Sequence, residues 1–305
     1  MILGGRAISQ YEKLIPLAGE FTCRVAEHIS VRVYQDARPR NLELAELQKG
    51  LILVLGGREA VEEGAGFGTP VVIYDEPYFS TTAEVYANNI DGRIKVSKHF
   101  IMDAVSRKQL WNGPFIRQDS YNAVHNAFTH GYTKSGKLKP FFDAAMLLLH
   151  NLGLRTRFVK VKPMGKVVVD YDILEGCVQV RADFAGVDPK GWSGSLLLNE
   201  QGPGFFKGCN CNGRVLREGE LGGWEEIMGG EACLMTDGCL GAFFGLTSKG
   251  GSKLYLGREK IQGRFAWIGL DYHLPPTRNF SYNIMMGLKP KHGSGRRSIA
   301  KEKIN

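Results

Sequence analysis

No run of roughly 18 or more apolar residues occurs in the chain, so no membrane-crossing helix is expected. The densest apolar stretch, Ala144 to Leu149, breaks at His150 and Asn151. The start, Met1-Ile2-Leu3-Gly4-Gly5-Arg6, lacks the basic region followed by an apolar segment that export requires, and the expected compartment is the cytoplasm. Several signatures are also missing. The glycines of Glu62-Glu63-Gly64-Ala65-Gly66-Phe67-Gly68-Thr69 have no Lys-Ser/Thr pair after them, and two carboxylates ahead of them would repel phosphate, which argues against a nucleotide loop. Gly191-Trp192-Ser193-Gly194-Ser195 lacks the last glycine of a nucleophile elbow, and no H-E-x-x-H or EF-hand pattern is present. No repeat of fixed period and no heptad pattern appears.

What the chain has in surplus is glycine, 39 of 305 residues against 12 prolines, with 43% hydrophobic residues. That balance suits turns and a packed interior rather than disorder. Alternation of period two recurs. From Phe21 to Tyr34 the odd positions Phe21, Cys23, Val25, Ile29, Val31 and Val33 are apolar, with Glu27 interrupting, and this reads as strand with one wet face. Leu51–Leu55 and Thr69–Tyr74 are further strand candidates, the latter running into Asp75-Glu76-Pro77, where proline disfavours a central ladder. Leu42 to Lys49 fits a short helix. From Ile94 to Leu110 the pattern is mixed, and a strand changing to helix near Ser97 is expected.

Asp119 is read as the cap of a short helix carrying Tyr121, Val124, His125 and Phe128 and ending at Gly131. Pro140 to Asn151 is the clearest helix, with Phe141, Ala144, Ala145, Leu148 and Leu149 as its apolar stripe and Gly153 as its stop. Beyond Leu154 the chain reads as β. Between Lys166 and Phe184 the apolar positions change from odd to even, which requires a bulge or tight bend around Glu175-Gly176. Strands are also expected at Ser195–Leu198, Leu240–Leu246, Lys253–Leu256, Arg264–Tyr272 and Tyr282–Leu288, with turns such as Asn212-Gly213, Asp237-Gly238 and Gly250-Gly251.

These patterns predict a mainly β fold, a β-sandwich, supersandwich or open barrel, with one or more helices in the N-terminal half. Residues 1–288 are expected to form a single large β-rich domain, with alternative internal boundaries near 111–115 or 186–194. Residues 289–305, rich in Lys and Arg, read as a flexible basic tail able to attract nucleic acid or an anionic surface. Six cysteines allow three disulfides by number alone, but the expected compartment disfavours them.

Candidate chemistry falls in two places. Asp75 and Glu76 lie at a strand end, where carboxylates held in one cleft can split into an acid and a base. His125, His130, Tyr121 and Tyr132 add imidazole and phenol groups, and Tyr121 and His125 are four residues apart on the expected helix. The resulting expectation is an enzyme using general acid/base chemistry, as a lyase, isomerase, hydratase or hydrolase, on a small organic or carbohydrate-like substrate. In it Asp75 or Glu76 is the acid or base, His125 the proton-transfer partner, and Tyr121 or Tyr132 an orienting donor. The alternatives are a noncatalytic ligand-binding protein lined by aromatics such as Trp192, Phe205, Phe206, Trp224, Trp267 and Tyr272, or a structural subunit of a larger assembly. No cofactor is expected, although Cys209, Cys211, Cys233 and Cys239 supply the four thiols that a zinc site needs, without the usual C-x2-C spacing. Asp170 and Asp172 share one strand face and read as its wet side.

Overall fold

Hairpins closed by short turns build most of this molecule. A computed structural model describes residues 15–16, 19–36, 46–61, 64–90, 93–111, 113–117, 119–124, 139–202, 204–211, 214–217, 224–227, 231–236, 242–247, 252–261 and 264–288. The N-terminal strands are β1 Ile15–Pro16, β2 Glu20–Ala26, β3 Ile29–Tyr34, β4 Ile52–Leu55, β5 Arg58–Glu59, β6 Gly66–Ile73, β7 Pro77–Ile90 and β8 Arg93–Leu110. Helices follow at 119–124 (α1) and Lys139–Asn151 (α2). Next come β9 Leu154–Lys160, β10 Gly165–Leu174, β11 Cys177–Val187, β12 Gly194–Gln201, β13 Phe206–Cys211 and β14 Arg214–Arg217. The last strands are β15 Glu225–Ile227, β16 Glu231–Thr236, β17 Ala242–Thr247, β18 Lys253–Ile261, β19 Arg264–Leu274 and β20 Asn279–Leu288.

The strands form two antiparallel sheets. The larger, of 16 strands, runs β14-β13-β16-β17-β20-β11-β10-β8-β7-β6-β12-β19-β18-β15, with β1 on β7 and β9 on β8, and it curls into an open half-barrel. The smaller is β2-β3-β4-β5. Their apolar faces share one core. Val25, Ile29, Val31, Val33, Leu53 and Leu55 of the small sheet cluster with Tyr171, Val180 and Tyr282 of the large one. Each large apolar side chain buried there contributes about 1.5–3 kcal/mol relative to exposure.

The phase change near Glu175-Gly176 is a two-residue hairpin turn. Gly176 adopts φ 68°, Leu174 pairs with Cys177, and Tyr171 pairs with Val180, so odd positions of β10 share a face with even positions of β11. The Phe21–Tyr34 stretch is corrected from one alternating run to a hairpin turning at Glu27 and His28, with His28 at φ 58°. Its parity survives because the register slips between Arg24 and Ala26, leaving Cys23 opposite Val31 and Phe21 opposite Val33. The expected helix beyond Ser97 is also corrected: Arg93–Leu110 is one 18-residue strand. Val96, Phe100, Met102 and Ala104 are buried at its even positions, a period of two that Lys98 interrupts. Of the helix expected at Leu42–Lys49, residues 46–49 are turn and extended chain and 42–45 lie outside the described residues.

β8 is the pivot of the large sheet. It pairs with β10 over Ile94–Ile101 and with β9 over Ala104–Leu110. Between these spans the β7 register shifts, and the Asp103 carboxylate fills the gap, accepting from Thr81 N at 2.8 Å, Thr82 Oγ1 at 2.9 Å and Thr81 Oγ1 at 3.0 Å. α2 starts one residue earlier than expected and stops at Gly153, φ 86°. Its apolar stripe is only partly covered: Ala145 and Leu149 are half-buried, and Phe141, Ala144 and Leu148 are exposed. Among the described residues no helix is long and apolar enough to cross a membrane, which says nothing of crossing by strands. The segments 125–138 and 289–305, and the turns at 212–213, 237–238 and 250–251, lie outside the described residues.

Candidate ligand cavity

A cavity of about 260 Å³ opens where β6, β7, β8, β9, β12 and β19 meet the chain segments 47–49 and 64–65. Its apolar wall is a small cluster of its own. Leu47 and Phe158 pack with Ala104 and Phe79, and the Phe79 and Phe158 rings meet edge to face at 5.1 Å. Leu198, Pro70 and Trp267 continue the wall. Alternation on β9 explains the exposure of Thr156 and Phe158 to it, while Arg155 and Arg157 take the other face.

The crossing segment 47–50 forms the cover. Gln48 N donates to Ser80 O at 2.8 Å and Gly50 N to Ala65 O at 2.9 Å, and Gly50 N also reaches Thr69 Oγ1 at 2.6 Å. A Cβ at Gly50 would stand 2.0 Å from Phe67 O, so only glycine lets the two backbones approach this closely. Lys98, 1% exposed, supports the segment from beneath. Its Nζ donates to Lys49 O at 2.8 Å and to Tyr34 O at 2.7 Å. Burial lowers this amine to about 7, against which Asp36 acts in the raising direction.

Glu200 is the carboxylate of the cavity wall. It is 5% exposed, and its Oε2 accepts from Ala65 N at 3.0 Å. Lys49 lines the same space, with Nζ donating to Gly64 O. Two polar atoms on lining residues, Gln48 Oε1 and Trp267 Nε1, are buried with no hydrogen-bond partner among the described residues. Behind Glu200, Asn199 joins strands through the core. Its Nδ2 donates to Leu197 O at 3.0 Å and Leu270 O at 2.9 Å, its N to Asp271 Oδ1 at 2.7 Å, and its Oδ1 accepts from Gly68 N and from the Tyr282 hydroxyl. This network is satisfied and ties β6, β12, β19 and β20 together.

Of the acid, base and phenol groups singled out from sequence, Asp75, Glu76 and Tyr121 lie elsewhere. Asp75 is exposed and Glu76 half-buried in the bend between β6 and β7, and Arg107 grips Glu76 with two hydrogen bonds, Nη2 to Oε1 at 2.9 Å. Tyr121 of α1 lies beside Lys108, whose Nζ is 5.3 Å from its ring centroid. Because Arg107 and Lys108 are consecutive strand residues, Glu76 and Tyr121 engage opposite faces of the β8–β9 ribbon. None of Asp75, Glu76 and Tyr121 lines the cavity. His125, His130 and Tyr132 lie outside the described residues.

Among the thiols, Cys209 is buried on β13. The β13–β16 register sets Cys233 against Asn210, and Cys211 against Ala232. Cys239 lies outside the described residues, which contain no cluster of three or more metal-ligating side chains. Asp170 and Asp172 sit on the outer sheet face, paired with Lys95 at 3.3 Å and with Arg181.

Trp267 was legible as a lining aromatic, whereas Trp192, Phe206 and Tyr272 of the same group take core or structural positions. Trp192 donates Nε1 to Gly194 O at 2.8 Å, and Phe206 and Tyr272 are fully buried. Glu200, Gln48 and Lys49 went unread. The one signal for Glu200 was Asn199-Glu200-Gln201 directly after Leu196-Leu197-Leu198, a polar run in a strand too apolar to be at the surface.

A β-rich, barrel-like protein with buried polar residues suited to a ligand-binding or catalytic pocket is the class this geometry defines. No protein-family model matches the chain, and no curated protein matches it.

Proposed function

We propose that the protein binds a small, mainly apolar organic molecule in the cavity beside Glu200. The observation that carries this reading is the apolar wall of Leu47, Phe79, Phe158, Leu198 and Trp267 with a few polar groups at fixed points, the usual make-up of a ligand site. A cavity of about 150 Å³ takes benzene, so one of this size accommodates about ten non-hydrogen atoms. A hydroxyl or amide on such a molecule would supply the partner that Gln48 Oε1 or Trp267 Nε1 lacks among the described residues. General acid/base catalysis is the second reading, favoured by the position of Glu200 in the wall. In that case Glu200, rather than the more distant Asp75 or Glu76, transfers the proton.

Thermal denaturation with 2-naphthol, 1-octanol, benzoate and glucose tests the binding reading. The first two raise the melting temperature and glucose does not. At one hundred times its Kd a ligand adds about 2.7 kcal/mol. Ala65→Phe, which fills the cavity from its rim, removes the shift. The absence of any shift, or an equal shift in Ala65→Phe, overturns the assignment. Product formation that Glu200→Gln abolishes would establish the catalytic reading.

A further inference from the structure

We propose that the protein docks on an anionic lipid surface through the outer end of the β8–β9 ribbon and the helices joined to it. Beyond Val105, where the β7 register ends, β8 continues with β9 on one side and residues 115–116 on the other. Among the described residues, eight of the eleven exposed large hydrophobic side chains fall between positions 110 and 152. Trp111 is 68% exposed and Phe141 66%. Trp111 meets the C-terminal end of α2, its N donating to Gly153 O at 2.7 Å just where α2 gives way to β9, and Phe141 lies in the first turn of the same helix. Phe141, Leu148 and Leu152 recur at offsets of seven and eleven residues and line one exposed side of α2 and its terminal turn.

Charge identifies the partner. Residues 106–162 contain ten Lys and Arg against two Asp, a net +8 that equals the formal charge of the whole chain. All remaining residues together hold 29 of each sign. Exposed Arg117 and Arg157 flank the apolar end within the described part. Exposed aromatic and aliphatic side chains on a stretch of chain with a basic excess are the features of an interfacial membrane contact, in which apolar groups enter the headgroup boundary and cations meet anionic lipid. Leucine side chains beside the aromatics favour lipid over single-stranded nucleic acid, whose bases stack on aromatic platforms. None of its exposed hydrophobic residues lines the cavity.

Co-sedimentation of the full chain with phosphatidylcholine vesicles, alone or with phosphatidylserine, is the test. Binding is expected to the mixed vesicles and to be at least tenfold weaker to the neutral ones. Arg117→Glu with Arg157→Glu, and separately Phe141→Asp with Leu148→Asp, each lower it at least tenfold while far-UV circular dichroism stays that of the parent. Brominated lipid quenches tryptophan emission in the parent and less in Trp111→Phe, a readout that does not depend on the charge variants. The proposal is overturned if the chain stays in the supernatant with both vesicles, if the variants bind as the parent does, or if a single-stranded oligonucleotide is bound and vesicles are not.

Discussion

Replacing Lys98 by methionine removes the most deeply buried lysine, arginine or carboxylate side chain among the described residues and exposes its energetic role through pH. In the folded protein the amine lies under β3 and the 47–50 segment with two carbonyl partners, 2.7 and 2.8 Å away, and over the Phe100 ring at 5.3 Å. Burial brings its pKa from 10.5 to about 7. Between these values the unfolded chain holds a proton on Lys98 that the folded chain has released, so raising the pH favours folding. The limiting slope is about 1.4 kcal/mol per pH unit. Allowing for half-protonation near neutrality, the parent gains about 2 kcal/mol from pH 7 to pH 9 through this group. Lys98→Met lacks this gain.

Other titrations, including the thiols of Cys23 and Cys177, whose pKa values burial raises, are common to both proteins and cancel in the difference. The variant also removes the two hydrogen bonds from Lys98 Nζ to Tyr34 O and Lys49 O, worth about 0.5–1.5 kcal/mol each. The parent is therefore the more stable at pH 9, and its advantage shrinks by about 2 kcal/mol at pH 7. Urea denaturation of both proteins at the two pH values measures this directly. Equal pH dependence in the two, or a parent advantage that grows toward pH 7, would refute the reasoning.

Two further substitutions probe the cavity cover and the β8 pivot. Gly50→Ala drives a methyl into Phe67 O and is expected to destabilise by more than about 3 kcal/mol, beyond ordinary overpacking, as read by the denaturation midpoint. Asp103→Ala removes the acceptor of Thr81 N and of both threonine hydroxyls and is expected to lower stability by about 2–4 kcal/mol. Hydrogen exchange at the Thr81 amide should rise with it, and an unchanged rate there would contradict the assigned bond.

Much of the β architecture was readable because burial on one face imposes a period of two. The β10–β11 hairpin is the clearest case: Val167, Val169, Tyr171 and Ile173 on odd positions and Val178 and Val180 on even ones demand a turn between them. Where a buried residue is polar the reading failed. Lys98 in the middle of the even run of β8 broke the alternation and made Phe100, Ile101, Ala104, Val105 and Lys108 resemble a helical spacing. α2 was legible from its own composition, but the outward direction of Phe141 and Leu148 depends on what packs against it. Beyond Trp267 and the polar run at Glu200 the cavity could not be read, because Leu47, Ala65 and Phe158 join them only through strand pairings and each looks ordinary in its own neighbourhood.

The bonds from Ala65 N to Glu200 and from Gly68 N to Asn199 join residues 135 and 131 positions apart. During synthesis, β6 therefore emerges long before β12, its eventual neighbour. Its buried edge must wait, or be shielded, while the β7–β8 and β10–β11 hairpins close locally. Such late, long-range closure makes refolding slow relative to a chain of local contacts. It also leaves a strand edge open to wrong partners in the interval. The pocket, lined also by Trp267 of β19, is then completed late, and any molecule that fills it acts on a chain that has already made its local hairpin pairings.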